Sequence, residues 1–249
     1  MAERIPALRP EPVAPRRRGG TLLGIVIALF AIALIVLFFH SSLSRITDIE
    51  ITGTRYAAAA DVEQALGIQE GDSFFKGSPK KLEAKIEEIG PVQNATVTKR
   101  FPGHLKIEVQ EFAAVAVELN DTGRASLVLE NGLSIPMKEG ESLPDMPILT
   151  GWNVNDPNRA ALCGVLGKLE PAALGDFSQI APDPSNAYPD RIKLFTRSKF
   201  EIVTTIGKLP GKMDIMGEIV ANRAPGLITL LEADYYLPYS AQNEQQSGS

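Results

Sequence analysis

The sequence predicts an α+β protein in three parts: an N-terminal transmembrane helix, a small β-α-α-β-β unit, and a mainly β region with flanking helices. Three observations predict it. The first is an uninterrupted apolar run from Thr21 to Phe39. The second is an orderly exchange of period-two and period-3.6 patterns across residues 46–112. The third is a set of short β-prone runs, divided by turn residues, across residues 113–237.

The run TLLGIVIALFAIALIVLFF at 21–39 contains no charge. At a rise of about 1.5 Å per residue it reaches roughly 28 Å, close to the hydrocarbon thickness of a bilayer. Backbone groups in lipid must be paired within the segment, so such a run is a helix. A cleaved signal peptide would carry a shorter apolar core, about 7–15 residues, ending in a small-x-small site. Here the run closes on Phe38, Phe39 and His40, which favours an uncleaved anchor. Arg16, Arg17 and Arg18 abut its N-terminal side, whereas only Arg45 lies near the other flank. The positive-inside rule then places the N-terminus in the cytoplasm and the bulk of the chain outside, a single-pass type II arrangement. Residues 1–20 mix Arg with Pro6, Pro10, Pro12 and Pro15 and read as a disordered basic tail.

In residues 46–112, Ile49 and Ile51 alternate with Asp48, Glu50 and Thr52, the pattern of a half-buried strand that Gly53 ends. Ala57 to Leu66 places Val62, Ala65 and Leu66 on one helical face, with Gly67 as its stop. Ser78-Pro79 opens a second helix as N-cap and first residue, and Leu82, Ile86 and Ile89 form its apolar stripe. Val92 to Lys99 is a second strand, Phe101-Pro102-Gly103 turns the chain, and Leu105, Ile107 and Val109 mark a third strand.

In residues 113–237 the strand candidates are Val115–Leu119, Ala125–Glu130, Arg191–Phe195 and Phe200–Thr205. Asn131-Gly132 and Arg197-Ser198 suit hairpin turns. Asn158–Leu169 and Lys212–Asn222 read as helices, and Met213, Met216, Ile219 and Val220 as core rather than as a binding stripe. Leu227–Tyr236 is a strongly β-prone run, and 238–249 is expected to be a disordered tail.

The net charge is −5, but the first 20 residues carry five Arg against Glu3 and Glu11, a net of +3 that leaves −8 for the rest. An acidic body argues against nucleic acid, which needs clustered cations to displace counterions, and against broad adhesion to anionic lipid. Cys163 stands alone, so no intrachain disulfide can form, and its apolar helical setting makes it a buried, inert thiol.

Little in the sequence supports catalysis. There are only two His, His40 at the membrane edge and His104 on the polar face of a strand. With one Cys they supply neither a catalytic triad nor a zinc shell. Ser78-Pro79-Lys80-Lys81 fits S-x-x-K of penicillin-binding enzymes, but the companion motifs S-D-N and K-T-G are absent. The start of a helix explains the same residues. Gly207 to Lys212 has the wrong spacing for a P-loop. The expectation is a protein that is not an enzyme and holds no cofactor or metal.

The pattern resembles a bacterial cell-division family, FtsQ/DivIB, over nearly the whole chain. Ile49-Glu50-Ile51-Thr52-Gly53, Val62 with Leu66-Gly67-Ile68, Lys99-Arg100-Phe101-Pro102 and Leu105 to Glu111 are similar to the strands and turns of its POTRA domain. Leu127 to Gly132, Leu143-Pro144 and Leu149-Thr150-Gly151 resemble its later hairpin and "LP-x-L-x-G" segment, and Leu230 to Tyr239 its closing strand. Two departures stand out. Glu111-Phe112-Ala113-Ala114 replaces Glu-Arg-x-Pro, and Ala58 occupies the N-cap position of the first helix.

The resemblance implies a POTRA domain over 46–112 and a β domain over 113–237. It implies a non-enzymatic scaffold in the plasma membrane at the division septum. The implied partners are FtsL and DivIC (FtsB-like) proteins and, through them, the septal peptidoglycan synthase. The implied mode is strand addition, in which a partner's backbone pairs with an exposed sheet edge. Carried over, that edge is Leu227, Ile228, Thr229, Leu230 and Leu231, with Glu232, Tyr235 and Tyr236 nearby. The same residues could instead complete a core, and one strand can do both because its alternate residues face opposite ways. A wall-acting enzyme and a POTRA-bearing translocation component are the rival readings.

Overall fold

A computed structural model describes residues 19–120, 123–138 and 140–241. Arg16, Arg17 and Arg18 lie outside the described residues. The apolar run forms α1, Gly19–His40, and no residue of its window Leu22–His40 is buried within the chain. Such a helix is consistent with membrane anchoring. A short 3₁₀ turn, Ser42–Ser44, follows it, and Ser44 is buried with its Oγ donating to the Phe39 carbonyl at 2.8 Å.

The next unit contains β1 (Asp48–Thr52), α2 (Ala59–Leu66), α3 (Pro79–Ile86), β2 (Val92–Arg100) and β3 (His104–Glu111). The strands order β1-β3-β2, with β1 parallel and β2 antiparallel to β3. Their alternating residues meet the helical stripes: Val62, Leu66, Leu82 and Ile86 pack with Val97, Leu105, Ile107 and Val109 in one buried cluster. Gly67 ends α2 in the left-handed conformation at φ 60°, as its lack of a Cβ permits. The predicted cap at Ser78 is only half right. Ser78 does precede α3 with Pro79 at its first position, but its side chain makes no capping bond.

The remaining strands form a nine-stranded sheet. They are β4 (Ala114–Leu119), β5 (Ala125–Leu129), β6 (Ser134–Pro136), β7 (Ile148–Leu149), β8 (Phe177–Pro182), β9 (Arg191–Thr196), β10 (Glu201–Thr205), β11 (Gly226–Leu230) and β12 (Asp234–Pro238). Their order is β12-β11-β10-β9-β8-β7-β4-β5-β6. Three helices accompany it: α4 (Pro157–Leu166), α5 (Pro171–Asp176) and α6 (Leu209–Asn222). Leu162, Cys163 and Leu166 of α4 and Leu209 and Met216 of α6 are buried with Ile180, Ile192, Leu194, Ile202 and Ile228. Met213, Ile219 and Val220 pack at the margin of that cluster. Burial pushes the Cys163 thiol up to about 11, so it stays protonated and unreactive at neutral pH.

Two sequence expectations need correction. The β-prone run Leu227–Tyr236 is not one strand: it folds back on itself as the β11–β12 hairpin. The expected tail at 238–249 begins too early, because Pro238 ends β12 and residues 239–241 are helical. Residues 242–249 lie outside the described residues.

Arg159, at the start of α4, was not anticipated as a core residue. It is 2% exposed. Its Nη1 donates to the Gly132 carbonyl at 2.8 Å, and its Nη2 donates to Glu118 Oε2 at 2.7 Å and to Ser134 Oγ at 2.8 Å. One guanidinium therefore ties α4 to β4 and to the β5–β6 turn.

Candidate partner-binding rim

A sheet offers unpaired backbone groups only at its rims, and these two sheets have four. At the β2 rim, the Val97 N–H donates to Glu83 Oε1 at 2.9 Å and the Ala95 N–H to Glu87 Oε1 at 3.3 Å. The match is geometric. Four residues of helix rise about 6 Å and two residues of strand about 6.8 Å, so carboxylates one turn apart meet alternate N–H groups. This rim is occupied from within. The β1 rim carries exposed Asp48 and Glu50, charges that discourage pairing. The β6 rim is three residues long and ends in Pro136, a residue without an N–H. The β12 rim runs five residues from Asp234 to Pro238 and, among the described residues, pairs with β11 alone.

The phase of the β11–β12 ladder fixes what this rim presents. The Tyr239 N–H donates to the Pro225 carbonyl at 3.3 Å, and the register pairs Gly226 with Pro238, Leu227 with Leu237 and Thr229 with Tyr235. Hydrogen-bonded and non-bonded pairs alternate between antiparallel strands. Leu237 and Tyr235 therefore bond to β11, whereas Asp234 and Tyr236 turn their N–H and C=O groups outward. Pro238 falls on the outward phase too, where its missing N–H breaks no ladder bond.

Side chains hold the hairpin to the body. Lys208 Nζ donates to Glu232 Oε1 at 2.7 Å, and Lys212 Nζ to Asp234 Oδ1 at 2.8 Å, tying the turn to the start of α6. The hydrogen bond from Lys208 holds the Glu232 carboxyl below its usual range. Tyr236 Oη donates to the Ala224 carbonyl at 2.6 Å and its ring packs on the core, while Tyr235 is 53% exposed. Gly226 is required by close approach. A Cβ there would run into the Leu237 carbonyl oxygen and stand 2.8 Å from Pro238 Cα.

This geometry corrects the expected site. Leu227–Leu230 is not an edge: its backbone pairs with β10 on one side, in parallel, and with β12 on the other. Ile228 and Leu230 are buried, and Thr204 Oγ1 donates to the Leu230 carbonyl at 2.8 Å. Leu231 begins the turn rather than extending the strand. Of the eight residues expected, Tyr235 and Tyr236 lie on the free rim and Glu232 flanks it. Asp234, Leu237 and Pro238, which complete that rim, were missed. A turn signal in Glu232-Ala233-Asp234 was available, but the run contains neither Gly nor Pro to announce it.

Other candidates dissolve into structure. Ser78 and Lys81 open the exposed start of α3. His104 Nδ1 lies 3.5 Å from Asp48 Oδ2, with both side chains more than half exposed. Among the described residues no three His, Cys, Asp or Glu side chains come together as a metal site. Glu111, the one residue of the 111–114 segment that keeps the family pattern, has a use: its carboxylate accepts from the Tyr56 and Ala57 N–H groups at 2.8 Å each, fixing the entry to a helix whose cap, Ala58, has no acceptor.

Residues 44–112 match the model of the POTRA domain, FtsQ-type. The chain is 38% identical over 211 residues to cell division protein DivIB of Paenibacillus polymyxa, spanning 85% of this chain and 83% of that protein. The chain belongs to the DivIB family of cell division proteins. It is also 29% identical to DivIB of Geobacillus kaustophilus over 251 residues, covering 98% of this chain and 94% of the relative. A solved structure of the major extracytoplasmic domain of the trans isomer of Geobacillus stearothermophilus DivIB is 27% identical, with a TM-score of 0.38, over 45% of this chain and 93% of that one. Family membership supports a role in cell division, and the FtsQ-type POTRA match coincides with the β1-to-β3 unit.

Proposed function

We propose that this chain is a non-enzymatic scaffold of the division machinery that captures a partner's strand on the β12 rim. Under this reading α1 anchors the chain in the plasma membrane with Arg16, Arg17 and Arg18 inside, and the 46–112 and 113–237 units stand outside at the septum. The partners are the short bitopic proteins resembling FtsL and DivIC (FtsB), which relay contact to the septal peptidoglycan synthase. The observation that supports this most is the open rim of β12, with outward backbone groups at Asp234 and Tyr236 beside the exposed Tyr235 ring. A partner strand laid there would gain main-chain bonds for affinity and ring contact for specificity.

The test is co-purification of full-length chain with its division partner. Tyr236→Pro removes an outward N–H and leaves the bonded pairs at Tyr235 and Leu237 in place, so partner capture should be lost. Tyr235→Ala should weaken it by about 2 kcal/mol, roughly 30-fold in Kd, as for a central aromatic anchor. Tyr236→Phe, which keeps the ring and the backbone, should bind. Undiminished capture by Tyr236→Pro would reject the rim as the ligand. Turnover of a wall precursor by the purified chain alone would reject the non-enzymatic reading.

A further inference from the structure

Five phenylalanines gather where α1 meets the first folded unit. Phe38 and Phe39 come from the last turn of α1, Phe74 and Phe75 from the loop before α3, and Phe101 from the β2–β3 turn. The Phe38 ring stacks on Phe101 at 6.5 Å and meets Phe75 at 6.3 Å, and Phe39 meets Phe75 edge-on at 5.6 Å. Phe74 is buried beneath them, 6.1 Å from Phe101. Phe75 and Phe101 are nevertheless 54% and 59% exposed, and Leu43, in the turn that follows α1, is 50% exposed.

Main-chain bonds fix this arrangement. The Phe74 N–H donates to the Ser44 carbonyl, the Ile46 N–H to Asp72 and the Gly71 N–H to Ile46, each at 2.8 Å. Lys99 Nζ donates to the Phe74, Lys76 and Gly77 carbonyls at 2.8–2.9 Å, pinning the same loop to β2. The loop carrying Phe75 is therefore held to the chain leaving α1, not free to turn away.

We propose that Phe75 and Phe101 seat in the lipid bilayer beside α1, at the boundary between headgroups and acyl chains, so that the POTRA unit stands on the membrane on a fixed apolar footing. The inference rests on α1 being a membrane span. The argument is one of depth. A span from Leu22 to His40 fills the hydrocarbon and leaves Phe38 and Phe39 at its boundary. Rings in contact with Phe38 and Phe39 share that depth. Apolar side chains at this level bury some 5–10 Å into the interface. Arg45 and Arg100 are exposed residues flanking these loops and can meet lipid phosphates on a body that is acidic overall, whereas Lys76 is already paired with Asp72 at 2.9 Å.

The test reconstitutes full-length chain with Trp152→Phe, so that a single introduced tryptophan reports, in phosphatidylcholine–phosphatidylglycerol vesicles whose acyl chains are brominated near the headgroup. Phe101→Trp and Phe75→Trp sit at exposed positions that tolerate the larger ring. Phe30→Trp, in the middle of α1, reports the span itself through lipid brominated near the chain end. The proposal expects quenching and a blue-shifted emission for Trp at 101 and at 75. If the reporter at 30 is quenched while those at 101 and 75 are not, the footing is rejected, the anchor stands, and the aromatics are left to a protein partner. If the reporter at 30 is unquenched, the span fails and the footing falls with it.

Discussion

Replacing Glu118 by Ala is expected to lower the unfolding free energy by about 3–5 kcal/mol, the cost of leaving a buried charge without its partner. Arg159 is 2% exposed, and among the described residues Glu118 is the one carboxylate that accepts from it. Its Nε is already buried without a hydrogen bond, so no spare bond compensates. In Glu118→Ala the guanidinium keeps only the Gly132 carbonyl and Ser134 Oγ. The pair itself is another matter. Glu118→Leu combined with Arg159→Met should recover most of the loss, since an apolar replacement removes both desolvation costs together. Urea unfolding followed through Trp152, which packs against the same core, measures each variant. A loss below about 1 kcal/mol in Glu118→Ala would place the pair with weak surface bridges instead.

Gly226→Val is expected to displace β12 and to abolish partner capture while the POTRA unit stays folded. The new side chain would collide with the Leu237 carbonyl, a backbone atom that moves only if the strand moves. Because β12 is a rim strand, the sheet can survive its displacement, and the stability loss should stay near 1–3 kcal/mol, the range of overpacking. Chymotrypsin, which cuts after aromatic residues, should then cleave at Tyr235 or Tyr236, positions protected in the parent by the β11 ladder and by the Lys208 and Lys212 pairs. A Gly226→Val chain with parental protection and parental binding would contradict the close approach. By contrast, Pro at Thr229 is a poor probe of the rim. Thr229 is an interior position whose bonded partner is Tyr235, and its loss would damage the sheet itself.

The elements that local chemistry specifies were legible. β1, α2 and β2 each combine a clean period with a Gly or Pro just beyond their ends, and the structure places them and β3 within a residue or two of the expected bounds, whereas α3 stops at Ile86, three residues before the expected Ile89. The later elements depend on tertiary contact. β7 is two residues long and β6 three, too short for a periodic signal. β8 lies directly after the six-residue α5 with no Gly between them. The β11–β12 turn is the costliest omission, because it moves the free rim from Leu227–Leu231 to Asp234–Pro238. Its stabilisers, Lys208 at the N-cap of α6 and Lys212 within it, are more than twenty residues away in sequence. Arg159 did carry a signal. Arg159, Leu162, Cys163 and Leu166 are spaced i, i+3, i+4 and i+7, which puts the arginine on the buried face of α4. The carboxylates of Glu83 and Glu87 lie one helical turn apart, but nothing in the sequence shows that they would face β2.

Amide hydrogen exchange, read residue by residue with and without the bound division partner, bears most directly on the claim that an exposed backbone is the ligand. In the free chain the Tyr235 and Leu237 amides should exchange slowly and those of Asp234 and Tyr236 fast. Saturation with partner should slow Asp234 and Tyr236 by about tenfold or more, as ladder bonds form. If those two amides exchange at the same rate in the saturated complex, the partner binds elsewhere on the chain.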